Sequence, residues 1–190
     1  DAIFDELIAR YPALAACRPS VEQGAALLID ALRAGGKVLL CGNGGSAADC
    51  GHIAGELLKG FRLRRPLPAD LQEKLAVDGP GKALALGLQQ GLPAIDLTAQ
   101  TPVLTAVVND LGGQLGFAQL TLAYGRPGDV LLGLSTSGRA ESVINAFRVA
   151  RALGVRTLAL TGESGGPLAG LADCVIRVPE ERTFAVQEYH

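Results

Sequence analysis

Asp129-Val130-Leu131-Leu132-Gly133-Leu134-Ser135-Thr136-Ser137-Gly138 is the stretch on which the reading of this chain turns. Its first six residues form an apolar run closed by a polar turn, the pattern of a strand buried on both faces in a parallel sheet. Beyond Gly138, Val143, Ile144, Phe147, Ala150 and Leu153 recur at helical spacing, so Ala140 to Leu153 reads as a helix. Three hydroxyls therefore sit on a strand-to-helix turn. Main-chain N–H groups at a helix start point toward the same place, and the helix dipole favours an anion there. Serine and threonine can donate to such an anion without adding charge. The simpler reading of the same residues is an N-cap with extra serines.

A second unit of the same kind lies upstream. Lys37-Val38-Leu39-Leu40-Cys41-Gly42 reads as a buried strand that runs through Asn43-Gly44-Gly45-Ser46 into a helical pattern from Ala47 to Gly60. Two glycines let the backbone approach a ligand closely, and Ser46 falls at the helix start. Two strand–polar turn–helix units predict ligand binding at the carboxyl edge of a parallel sheet. Pro93 to Leu97, Thr157 to Leu160 and Cys174 to Val178 supply the other strands. Short helices are expected over Val103 to Val108, ahead of Asn109-Asp110, and over Leu115 to Tyr124. The alternation gives a three-layer α/β/α fold on five parallel strands with right-handed crossovers.

Two helices, Ala2 to Arg10 and Val21 to Ala34, precede the first strand, with Pro19-Ser20 as break and cap between them. They are expected to pack outside the sheet on one of its faces. Residues 62–91 fit the sheet poorly: Pro66, Pro68 and Pro80 punctuate them, and Leu71 to Leu75 and Ala83 to Gln90 read as short helices. This segment is expected to lie outside the sheet, either as a cap over the pocket or as a surface excursion. The whole of 1–190 reads as one domain.

Bulk properties narrow the function. A net charge of −2, with 48% hydrophobic and 19% charged residues, offers no general attraction for nucleic acid or an acidic membrane. The basic run Phe61 to Arg65 is most simply a solvated loop. No apolar run is long enough to span a bilayer. Cys17, Cys41, Cys50 and Cys174 lack zinc-knuckle spacing, and with no signal sequence in the residues given the expectation is a reducing cytoplasm. There is no methionine and the first residue is Asp1, so the chain is expected to be trimmed at that end, and the helix running into His190 looks unfinished.

The helix after Ser46 carries the candidate chemistry. His52 and Glu56 are four apart and share one helical face. Such a pair is often a surface ion pair, but here it lies within three turns of a glycine-rich loop. Moving a proton between neighbouring carbons of a sugar needs a base, and Glu56 is the candidate because its helix leaves the loop that would bind substrate.

The motif CGNGGSAAD together with LSTSG resembles the sugar-isomerase (SIS) family, most closely its phosphoheptose isomerase branch. The resemblance covers nearly the whole chain outside 62–91, and against it that segment looks like an insertion. It implies a flavodoxin-like SIS fold and a homotetramer in which the N-terminal residues 1–35 help build the subunit interface. The implied partner is a phosphorylated sugar, without nucleic acid or membrane. The implied activity is aldose–ketose isomerisation of sedoheptulose 7-phosphate to D-glycero-D-manno-heptose 7-phosphate for surface polysaccharide. Another phosphosugar isomerase, or a non-enzymatic sugar-phosphate-binding regulator, is the alternative on the same fold. Substrate contacts implied by the match are Asn43, Gly44, Ser46, Asn109, Asp110, Ser135, Thr136, Ser137 and Gln187. In some members zinc is held by residues that correspond to His52, Glu56 and Gln187, with a further histidine eight positions after the glutamine, beyond His190 here. Family members commonly read STSGNS, whereas this chain has Arg139-Ala140 after STSG; Ser142 or Arg139 is the expected substitute for the lost hydroxyl.

Overall fold

Four apolar runs and one short edge segment become strands: β1 (Val38–Gly42), β2 (Ala94–Asp96), β3 (Val130–Leu134), β4 (Arg156–Thr161) and β5 (Cys174–Arg177). The computed structural model describes residues 2–190, so the calls that include residue 1 are taken from Ala2 onward. All pairings are parallel, in the order β2-β1-β3-β4-β5. The order reverses between β1 and β3, which makes that seam the topological switch point. The register there is residue for residue, Val38 beside Val130 through Gly42 beside Leu134. The loops leaving the two strands thus emerge side by side.

The helices are α1 (Ala2–Arg10), α2 (Arg18–Arg33), α3 (Gly45–Leu58), α4 (Ala69–Leu75) and α5 (Gly79–Gly87), then α6 (Thr101–Asp110), α7 (Gly116–Tyr124), α8 (Glu141–Ala152) and α9 (Thr183–Tyr189). Alternate residues of β1 divide the core between the two sheet faces, as a period-2 strand requires. Leu39 and Cys41 join Phe117, Leu120, Val143 and Phe147 under α7 and α8, with Leu104 of α6 packed at the edge. Val38 and Leu40 join Leu27, Ala31, Cys50 and Ala54 under α2 and α3. The N-terminal helix α2 therefore completes an outer layer over β4 and β5, as expected for helices outside the sheet. A smaller cluster of Leu14, Cys17, Val178 and Val186 ties the 3-10 turn Pro12–Cys17 to α9. The four cysteines are free and buried. At the opposite sheet edge, buried Asp129 accepts from the Lys37 and Arg126 main-chain N–H groups and from Lys37 Nζ, clamping the starts of β1 and β3 together.

Local details differ from the sequence reading. Pro19 does not break a helix but lies in the first turn of α2, where its missing N–H has no intrahelical partner to lose; Ser20 Oγ donates to the Cys17 carbonyl. Asn109-Asp110 does not follow α6 but forms its last two residues. The basic run is not a free solvated loop, since each arginine is engaged. Arg62 pairs with Glu6, Arg64 donates to the Leu86 carbonyl, and Arg65 donates to the carbonyls of Glu56, Leu57 and Gln90. Arg65 thereby supplies donors to the carboxyl end of α3. It roots the α4–α5 pair, which packs mainly on itself and rejoins the body through Leu92 N–H to Leu57 O. This root is the end of α3 remote from the serine turns. Among the described residues no helix is long and apolar enough to cross a membrane.

Candidate active site at the switch point

The site is built from the two loops at the β1–β3 seam. After Gly42 the chain passes through Asn43 and Gly44, whose φ of +58° is a left-handed backbone that glycine adopts freely, and enters α3 at Gly45. Ser46 is almost wholly buried in the first turn of α3. On the other loop Ser135 is buried, Thr136 half-buried and Ser137 exposed. The Arg139 N–H donates to Ser137 Oγ at 3.2 Å. The turn is braced by the loop after β4: Gly162 N–H donates to Thr136 O at 2.9 Å and Leu168 N–H to Gly138 O at 3.1 Å. Gly138 has φ +63°, and a Cβ there would lie 2.0 Å from the Gly165 carbonyl oxygen, so only glycine fits this contact. A direct bond joins the two loops. Asn43 Nδ2 donates to Ser142 Oγ at 3.0 Å, from the end of β1 to the first turn of α8. The arrangement sets two helix starts and their hydroxyls on either side of the crevice between the two loops, a geometry in which main-chain N–H groups can meet an anion.

The last helix closes one side of this crevice. Gln187 Nε2 donates to Asp49 Oδ2 at 3.0 Å, so α9 docks on the start of α3. Gly45 makes this possible, because a Cβ on it would lie 2.0 Å from Gln187 Oε1. His190, one turn along α9, is partly buried beside Tyr189, Leu160 and Val178. Burial pushes its pKa down, and the Thr161 backbone and the Asp49 carboxylate oppose that shift. Asp49 is the contact the sequence reading missed. Its signal was present, since it lies four residues from Gly45 and three from His52 on α3.

The remaining candidates are placed less tightly. Glu56 lies eleven residues beyond Gly45 on α3, about 16 Å of helix rise. Its Oε2 is buried and has no hydrogen-bond partner, beside a hollow lined by Ile3, Phe61, Arg62 and Arg65. His52 is exposed. Of the residues expected to hold zinc, His52 and Glu56 stand on α3 and Gln187 on α9, the Gln187 amide nitrogen donating to Asp49 and its oxygen taking no part in that bond; among the described residues no three His, Cys, Asp or Glu side chains converge. Asn109 and Asp110 are exposed at the end of α6, where Asn109 Nδ2 donates to Asp110 Oδ1 at 2.7 Å. None of their hydrogen bonds reaches the serine loops.

Two family profiles described as SIS domain match residues 5–83 and 99–189. A phosphoheptose isomerase of Akkermansia muciniphila is 40% identical over 180 residues, covering 95% of this chain and 82% of that protein. One from Rhodospirillum rubrum is 41% identical over 174 residues, covering 92% and 80%. This chain belongs to the phosphoheptose isomerase family. The solved phosphoheptose isomerase of Francisella tularensis superposes with a TM-score of 0.78 at 32% identity, over 100% of this chain and 88% of that one. That of Neisseria gonorrhoeae gives 0.74 at 36% identity, over 100% and 89%. Membership in the phosphoheptose isomerase family agrees with the strand order and with the paired loops at the seam. Of the side chains singled out in the sequence, Asn43 bonds to Ser142 across the β1–β3 seam and Gln187 to Asp49 near the start of α3, while Ser46, Ser135, Thr136 and Ser137 lie on the two loops that leave that seam.

Proposed function

We propose that this protein is a sugar-phosphate isomerase that interconverts sedoheptulose 7-phosphate and D-glycero-D-manno-heptose 7-phosphate. The observation that carries the reading is the pair of hydroxyl-bearing helix starts joined by Asn43 and Ser142 at the β1–β3 seam. Main-chain N–H groups there, with Ser46, Ser135, Thr136 and Ser137, hold the phosphate. The sugar chain extends from that anchor toward the carboxylate of Glu56. The rise along α3 suits a long carbon chain, because a helical side chain leans back toward the helix start and shortens the remaining gap.

The chemistry needs no co-reactant. Glu56 takes the proton from C1 of the ketose as the electron pair of that C–H bond moves into a C1–C2 double bond and the C2 oxygen gains a proton. The same proton is then returned to C2 while the O1 hydroxyl gives up its own, leaving the aldose. The buried Oε2 of Glu56 supports this role, since among the described residues no hydrogen-bond donor is bonded to it. Gln187, held by Asp49, is placed to orient the sugar on the α9 side of the crevice.

Assembly belongs to the same reading, which is of a homotetramer. Val103, Val108, Leu111 and Leu122 on α6 and α7 and in the link between them are exposed, and an apolar surface of this kind favours burial against another subunit. Light scattering at micromolar concentration would return a monomer mass if this is wrong.

The deciding experiment follows the carbon-bound proton of sedoheptulose 7-phosphate by NMR in D₂O. The parent should incorporate deuterium, and Glu56→Gln should slow this by roughly 10²–10⁴-fold with little change in phosphate affinity. Exchange by the variant at the parental rate would clear Glu56. Tight binding of the sugar phosphate with no exchange in the parent would make the protein a binding module instead.

A further inference from the structure

The Asn43–Ser142 bond has a directional consequence. Ser142 is the second residue of α8 and only 8% exposed. Its hydroxyl oxygen accepts from the Asn43 amide at 3.0 Å, its one side-chain hydrogen bond among the described residues. A hydroxyl carries a single donor hydrogen besides its acceptor lone pairs. An amide N–H can only donate, so Asn43 occupies a lone pair and leaves the Ser142 hydrogen unspent. A serine inside a helix can spend that hydrogen on a carbonyl three or four residues back. Here the Gly138 carbonyl already accepts from Leu168 N–H, and Ser142 bonds to neither that group nor Arg139 O.

The main chain at the same place is also unspent. Intrahelical bonding in α8 begins with Val143 and Ile144, both donating to Ala140 O, which leaves the N–H of Ser142 without a helical partner. The neighbouring hydroxyl is set in the same way: Ser137 Oγ accepts from Arg139 N–H, so its hydrogen too is free to donate. Two hydroxyls on the loops of the seam, each with an N–H on one of its lone pairs and its hydrogen unspent, can both donate to an anion. Ser142 lies deeper than Ser137 and is tied to the opposite loop, so it reads the two loops together.

We infer that Ser142 is a further phosphate-binding residue of this protein and that Asn43 is a positioning residue, turning the Ser142 hydroxyl so that it donates to a phosphate oxygen. This rests on the reading of the serine turn as the phosphate site. It assigns to Ser142 the donor that Ala140, which has no hydroxyl, cannot supply.

The test is a double-substitution cycle read by calorimetry with inorganic phosphate and by isomerase kinetics with sedoheptulose 7-phosphate. Ser142→Ala should weaken phosphate binding about tenfold, as loss of one donor to a charged group requires. It should raise KM by a similar factor with kcat changed less than about threefold, since the phosphate contact is made equally in the ground and transition states. Ser142→Thr keeps the hydroxyl and should restore binding, whereas Ser142→Cys, a weak donor, should not. Asn43→Ala should weaken binding in the parent and have almost no further effect in the Ser142→Ala background. Phosphate affinity of Ser142→Ala and Ser142→Cys equal to that of the parent would overturn the role of Ser142. An Asn43→Ala effect of the same size in both backgrounds would overturn the positioning role. A parent that binds neither inorganic phosphate nor the sugar phosphate would instead remove the site itself, and the Proposed function with it.

Discussion

Replacing Gly45 by alanine tests the docking of α9 on α3. The added Cβ would lie 2.0, 2.2 and 2.4 Å from Oε1, Nε2 and Cδ of Gln187, far inside contact distance. All three atoms belong to the end of a flexible side chain, so the amide swings away and the backbone stays. What is lost is the 3.0 Å bond from Gln187 to the Asp49 carboxylate. A hydrogen bond to a charged group contributes about 1.5–3 kcal/mol, and this half-buried one belongs at the low end. Alanine in place of glycine returns at most about 1 kcal/mol of helix propensity, less at the first helical position. The net expectation is a loss of about 1 kcal/mol. In a Gln187→Ala background the obstruction is gone, and Gly45→Ala should become neutral or stabilising by up to about 1 kcal/mol. The coupling between the two sites is then about 1–2 kcal/mol. Urea denaturation of the parent, both single variants and the double variant measures it, with an unchanged slope confirming the same two-state reaction. Deuterium exchange into the sugar phosphate should fall in Gly45→Ala and in Gln187→Ala by similar factors, because both misplace the same amide. Equal stability changes for Gly45→Ala in the two backgrounds would refute the contact.

Other outcomes follow from particular contacts. Gly133→Ala puts a Cβ 2.3 Å from Phe147 Cε2 and 2.9 Å from Val143 Cγ1 in the core; overpacking should cost about 1–3 kcal/mol in urea, with activity per folded molecule retained. Arg65→Ala removes donors from the carbonyls of Glu56, Leu57 and Gln90; hydrogen exchange at the Leu92 amide should quicken, reporting a local loss of about 1–2 kcal/mol in the root of α4–α5. Burial holds the His190 pKa below its ordinary value, so the unfolded chain takes up this proton first as the solution is acidified. The contribution is fully present above about pH 6.5 and is lost as pH falls through the lower folded-state value. Thermal scans at stepped pH should show this decline, and His190→Gln should flatten it.

Much of this protein was legible in the chain itself. The runs at β1 and β3 are apolar throughout because both sheet faces are covered, and each gives way to a polar turn, Asn43-Gly44-Gly45-Ser46 in one case and Ser135-Thr136-Ser137-Gly138 in the other. That contrast alone places two ligand-facing turns at the carboxyl edge of a parallel sheet. The i,i+4 relation of His52 and Glu56 follows from helix geometry and needed no tertiary information. Helix boundaries were less legible: Pro19 reads as a breaker by composition, yet in the first turn of α2 it loses nothing, since that position has no helical acceptor to use.

Only the tertiary structure decided which side chains meet. Asn43 and Ser142 are 99 positions apart, and their bond depends on β1 lying in register beside β3. Gln187 and Asp49 are 138 apart, and their pairing depends on α9 returning across the sheet to the start of α3, where Gly45 leaves room. No local periodicity encodes either contact, because hydrogen bonding between distant segments follows from strand order and close approach rather than from spacing along the chain. For the same reason the chain alone does not set where Gln187 stands relative to His52 and Glu56. His52 and Glu56 are set by the turn of one helix, while Gln187 arrives on another and finds its donor's partner, Asp49, one turn earlier.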